Sequence, residues 1–139
     1  MCAETLVEGF HDEQAWSKMK YRDFMGKKIS ILGMGGSSFG DCFRTMSQAE
    51  VNEIVLRGLA AGINWIDTAY WYGQGSSETR LGIALENVPR QSYYIHSKIG
   101  RYGQDFHEMF DFSAERTLRA VDESLEKLNC KYLDCMQVS

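Results

Sequence analysis

A chain of 139 residues with 44% hydrophobic and 24% charged side chains has enough apolar material for one domain with its own core. Its net charge of −4 and the lack of a basic run argue against a nucleic-acid partner or an acidic membrane surface, and no apolar run approaches the roughly 18 residues of a membrane span. The N-terminus has neither the basic nor the apolar segment of a secretory signal, and Cys2, Cys42, Cys130 and Cys135 fit no zinc or redox spacing, so reduced thiols in a cytoplasmic protein are expected.

Residues 1–18 are polar and patternless and read as a mobile arm able to close against the rest. Residues 21–31 carry a Gly26-containing turn between two short runs, which predicts a hairpin. The first core strand is expected over residues 29–34, followed by the glycine-rich loop Gly35-Gly36-Ser37-Ser38. Ser47 with Glu50 forms a capping box. The helix it starts is expected to bury Val51, Val55, Leu59 and Ile54 and to end at Gly62.

A second strand covers residues 64–67. Ser76 or Ser77 is expected to cap a helix carrying Leu81, Ile83, Ala84 and Leu85. The third strand, residues 92–98, is aromatic and β-branched. After a polar loop, Ser113 caps a helix whose Ala114, Leu118, Val121, Leu125 and Leu128 form one apolar stripe. A fourth strand begins at Tyr132. The order β-α-β-α-β-α-β argues for parallel strands with helical crossovers, either in an open doubly wound sheet or in part of a (β/α)8 barrel.

The run Gly33-Met34-Gly35-Gly36-Ser37-Ser38 is a poor dinucleotide fingerprint. Its third glycine position is Ser38, and the next strand-end acid, Asp67, lies too far along. A tight strand-to-helix turn accounts for it better, and the remaining reading is a loop whose backbone approaches a nicotinamide ribose from the mouth of a barrel. Asp67, Tyr72 and Lys98 carry more information. Asp67 and Lys98 end adjacent strands about 4.8 Å apart, so an ion pair can form across the mouth of a barrel, where such folds build their active sites. A buried ion pair adds little net stability, which favours a functional reason for placing one there. Tyr72 lies in the loop five residues after Asp67. An ammonium beside a tyrosine favours the phenolate, which suits the phenol to giving a proton to a carbonyl oxygen.

The segment Gly62-x-Asn64-x-x-Asp67-Thr68-Ala69-x-x-Tyr72-Gly73, with Ser77-Glu78, Leu81-Gly82 and Lys98-x-Gly100, closely resembles the aldo-keto reductase family. Residues 110–116 and 122–128 resemble its L-galactose dehydrogenase-like branch. The likeness runs from about residue 21 to 138, under half of a family member. It implies an α/β fold, a partial (β/α)8 TIM barrel of about four strands and three helices with an N-terminal hairpin over the barrel floor. In that reading residues 1–18 are an arm and residues 19–139 the N-terminal half of an NADP-dependent oxidoreductase barrel. The resemblance further implies NADP or NAD as cofactor and reversible reduction of an aldehyde or ketone, or oxidation of a sugar or alcohol. It makes Asp67, Tyr72 and Lys98 catalytic, with Tyr72 as proton donor, and places Gly35, Gly36 and Asp67 beside the cofactor.

The family pattern puts a fourth catalytic residue, a histidine, on Ser139. His96 shares the face of Lys98 and reads as filler of barrel space; His11 and His107 read as solvated. A (β/α)8 barrel takes about 250 residues, and its usual phosphate site follows strands seven and eight. The chain is therefore expected to be a truncated product, inactive alone and poorly stable. The alternative is a non-catalytic half-barrel module that self-associates, or pairs with a full-length relative, through exposed barrel edges.

Overall fold

A computed structural model describes residues 4–139; Cys2 lies outside them. Residues 4–18, expected to be a mobile arm, are seated on the domain over their described length. Asp12 caps a single helical turn, α1 (Glu13–Trp16), by accepting from the amides of Gln14 and Ala15. Its own N–H donates to the carbonyl of Ala60 at 2.9 Å. Trp16 is buried, and the Nδ2 of Asn64 donates to Thr5 Oγ1 at 3.0 Å. His11, expected to be solvated, is buried instead. Its Nδ1 accepts from the Val7 amide at 3.0 Å, and its ring is packed edge-on against Phe10 and Trp16. Those aromatic neighbours, inside a segment of polar composition, explain the error.

The hairpin pairs β1 (Tyr21–Phe24) antiparallel with β2 (Lys27–Ser30). Met25 and Gly26 both take positive φ, +48° and +77°, which gives the twist that a two-residue hairpin turn requires. This pairing captures half of the strand expected over residues 29–34. Ile29 and Ser30 belong to the hairpin, Ile31 and Leu32 are exposed, and the first sheet strand is only β3 (Met34–Gly35).

Four parallel strands make the sheet: β3, β4 (Trp65–Asp67), β5 (Tyr94–Ile99) and β6 (Cys135–Val138), side by side in chain order. A doubly wound sheet reverses strand order at a switch point. Sequential order is the winding of a (β/α)8 barrel, and four of its eight strands are present.

The helices cover the outer face of this sheet. In α2 (Gln48–Ala60) the capping box forms as expected: Glu50 accepts from the Ser47 amide at 2.7 Å and the Ser47 side chain accepts from the Glu50 amide. Val51, Val55 and Leu59 form its buried row, and Ile54 is exposed. Helix α3 (Ser76–Leu85) is capped by Gly75 at φ +89° and not by a serine side chain; Ile83 is exposed while Leu81, Ala84 and Leu85 are buried. Ser113 caps α4 (Ala114–Lys127) through the Arg116 amide. The buried row of α4 is Arg116, Ala120 and Ser124, continued by Leu128, and Leu118 is 68% exposed. Of the expected apolar stripe, Leu128 is in the core, Val121 and Leu125 are half-buried and Leu118 is exposed, while the Arg116 guanidinium lies 3.6 Å over the Tyr102 ring.

Tyr93, just before β5, is buried under the Arg90 guanidinium, 4.6 Å from the ring centroid. Burial pushes its phenol up to about 12. An unfolded tyrosine loses its proton at about 10. Between those values the folded state holds more protons, so stability falls as pH rises through this window. The contribution of Tyr93 is on the order of 2 kcal/mol. Urea midpoints measured from pH 9 to 12 are expected to fall less steeply in Tyr93→Phe than in the parent.

Candidate active site

Strand pairing sets the site. Asp67 lies across from His96 in the β4–β5 register, and alternation puts His96 and Lys98 on one face. Lys98 Nζ pairs directly with Asp67 Oδ1 and donates to the Thr68 carbonyl at 3.1 Å. Tyr72, on the β4–α3 loop, donates its hydroxyl to Asp67 Oδ2 at 3.2 Å, and its ring centroid lies 4.8 Å from Lys98 Nζ. The three residues expected to act together are in contact.

A fourth group joins them. His96 Nε2 is 2.7 Å from Asp67 Oδ1, and its ring stacks on Trp65 at 4.9 Å. Reading His96 as filler missed this bond. The available signal was the His96-x-Lys98 spacing, which puts both side chains on the face that carries Asp67. Burial pushes the Asp67 carboxyl up, but the hydrogen bonds from His96 and Lys98, with their charges, outweigh it and hold the group below the usual carboxylate range. Asp67 is therefore an anion at neutral pH, accepting from Lys98 and Tyr72 with His96 Nε2 close by.

The loops around the cluster are fixed by backbone packing. Gly40 and Gly73 meet back to back, and a Cβ on either would overlap the backbone of the other's loop, so Tyr72 is pinned where its chain crosses Gly40. Ser77 does not cap α3 because its hydroxyl is used elsewhere: it donates to the Gly36 carbonyl at 2.7 Å and bonds Thr68 Oγ1 at 2.9 Å. Gly36 in turn donates to the Asp67 carbonyl at 2.6 Å. A Cβ on Gly36 would stand 2.7 Å from that oxygen, whereas one on Gly35 would meet nothing within 4 Å. Gly36 thus serves the tight turn, and Gly35 is exposed beside the strand ends with open space over it. Behind the site, Glu78 is fully buried and accepts from Ser97 at 2.6 Å, fastening α3 to the back of β5.

The amide of Ser139 donates to the Ile99 carbonyl at 2.9 Å, extending the β6 ladder. A cleft of about 670 Å³, lined by Leu85, Val88, Arg90, Tyr93, Leu128 and Tyr132 among others, opens at the opposite ends of the strands and shares no residue with the cluster. Among the described residues no group of His, Cys, Asp and Glu could hold a metal ion, and no helix is long and apolar enough to cross a membrane.

Residues 31–139 match the model of the aldo/keto reductase family. The chain belongs to the aldo-keto reductase family. It is 40% identical over 113 residues to the L-galactose dehydrogenase of Arabidopsis thaliana, covering 80% of this chain and 34% of that protein. Over 131 residues it is 30% identical to the D-threo-aldose 1-dehydrogenase of a Pseudomonas species, covering 80% of this chain and 40% of that one. Among solved structures, the aldo-keto reductase from Klebsiella pneumoniae in complex with NADPH superposes with a TM-score of 0.65 at 25% identity, covering 85% of this chain and 38% of that one. The chain spans a third to two fifths of the length of these curated aldo-keto reductase relatives. Both of those relatives are dehydrogenases named for sugars.

Proposed function

We propose that this chain carries the proton-transfer half of an NAD(P)H-dependent carbonyl reductase site, working on an aldehyde or ketone or, in reverse, oxidising a sugar or alcohol. The observation that carries the reading is the shared carboxylate: Asp67 receives Lys98 on one oxygen and Tyr72 on the other, at the ends of adjacent barrel strands. Tyr72 is the proton donor. In reduction its hydroxyl hydrogen passes to the carbonyl oxygen, leaving a phenolate that the Lys98 ammonium stabilises. Asp67 holds Lys98 charged and in place. In the oxidising direction the same phenolate takes the alcohol proton. A nicotinamide cofactor, NADP or NAD, supplies or accepts the hydride, and Gly35, Gly36 and Asp67 line the place where it would lie. The open space over Gly35 fits that assignment; the packing of Gly36 makes its part indirect.

Four of eight barrel strands leave the remaining groups of such a site to other residues. Residues 1–139 alone are therefore expected to show no carbonyl reduction. The test is a fusion in which residues 1–138 continue into histidine and the C-terminal part of the Arabidopsis L-galactose dehydrogenase. NAD(P)H-linked turnover of an aldose or its oxidation product by the fusion supports the reading; a folded fusion without turnover contradicts it.

A second reading draws on the exposed Leu118, Val138, Ile31 and Leu32 near the two sheet edges. In it the chain is a half-barrel module that associates with itself. Mass in solution separates the two: a defined dimer of residues 1–139 that does not bind NADPH favours the module.

A further inference from the structure

We propose that His96 is a positioning residue of this site, clamping Asp67 Oδ1 through its Nε2–H so that the carboxylate presents one oxygen to Lys98 and the other to Tyr72. Its catalytic meaning rests on the reading above, but the clamp is a property of the fold. His96 faces Asp67 across the β4–β5 ladder, its side chain is 9% exposed, and its Nε2 is 2.7 Å from Oδ1. The imidazole is itself oriented from below. It lies flat on Trp65, with ring planes 28° apart, and Trp65 packs edge-on against Phe24 of the hairpin at 5.6 Å. A column of side chains thus runs from the floor hairpin through Phe24, Trp65 and His96 to the carboxylate at the mouth.

The geometry explains why such a clamp is useful. Lys98 and Tyr72 alone bond different oxygens of Asp67. A carboxylate held only by them can rotate, and each rotation exchanges the oxygen that Lys98 uses. A third donor restrains that rotation. The other groups facing this pair are few. Strand β3 offers the Gly35–Gly36 backbone, β6 places Cys135 across from His96, and the β4–α3 loop contributes Tyr72. An Nε2–H satisfies the contact as an ordinary donor, and the depressed carboxyl of Asp67 is consistent with that contact.

The test uses residues 1–139. In the parent, nitrogen-resolved NMR at neutral pH is expected to show His96 with its proton on Nε2; a bare Nε2 with the proton on Nδ1 overturns the clamp. Two variants then separate the donor from the ring. His96→Phe keeps an aromatic ring on Trp65 and removes the N–H, while His96→Gln keeps an N–H near the position of Nε2. Titrating the Asp67 carboxyl carbon, the midpoint is expected to rise by about one pH unit in His96→Phe. His96→Gln is expected to stay near the parent. Equal midpoints in parent and His96→Phe, or equal rises in both variants, overturn the proposal. The tautomer measurement needs no variant, so a misfolded substitution does not remove the test. A clamp present in a fusion without turnover would contradict the proposed function and leave this inference standing.

Discussion

In the fusion with a completed barrel, Tyr72→Phe is expected to lower kcat for carbonyl reduction by about 10²- to 10⁴-fold, the contribution typical of a positioned general acid. KM is expected to change little. The substitution removes one oxygen and leaves the ring, whose face lies 4.8 Å from Lys98 Nζ and whose loop is pinned by Gly40 and Gly73. The loss should therefore fall on the chemical step and not on the shape of the site. Steady-state rates of NAD(P)H oxidation measure it. An unchanged kcat would remove Tyr72 from the role of proton donor. A raised KM with unchanged kcat would make it a binding residue.

The largest effect on folding is expected at Asn64. Its side chain is almost fully buried and makes three hydrogen bonds: Oδ1 accepts from the Ser30 amide at 2.7 Å, and Nδ2 donates to Thr5 Oγ1 at 3.0 Å and to the Lys28 carbonyl at 2.9 Å. The Asn64 amide also donates to Ser30 Oγ at 3.0 Å. One side chain thereby ties the N-terminal residues and the floor hairpin to the start of β4. Asn64→Ala keeps the backbone bond, loses the other three and strands the buried Ser30 N–H. A lost hydrogen bond costs about 1 kcal/mol, and a buried group left unsatisfied about 1–3 kcal/mol. Together these give a destabilisation of about 3 kcal/mol, read as a lower urea midpoint with an unchanged slope. A loss below about 1 kcal/mol would mean that the hairpin and N-terminal residues are not held through this side chain.

Much of the site was legible because strand ends are legible. Asp67 and Lys98 close β-branched or aromatic runs, and parallel pairing then brings them together whatever the rest of the fold does. The caps at Ser47 and Ser113 were legible for a similar reason: a cap is a local bond between a side chain and an amide three residues on. What failed needed knowledge of what lies opposite. Periodicity places Leu118, Val121 and Leu125 on one stripe, but only packing decides that Arg116, Ala120 and Ser124 are the buried row. Ser77 looks like a cap until Thr68 and Gly36 are seen to take its hydroxyl. Residues 29–34 look like one strand until the hairpin claims their first half. The buried Glu78 and the His96 bond are tertiary facts, set by which residues the ladder and the helix bring across from them.

In the proposed function Tyr72 and Lys98, joined through Asp67, act as one proton-transfer unit. This is tested most directly by the kcat of the double variant Tyr72→Phe/Lys98→Met in the completed fusion, set against the two single variants. Residues that work as a unit give strongly non-additive losses. The double variant is expected to be little slower than the slower single one. Losses that multiply would show that the two residues act independently, and would contradict the proposed function.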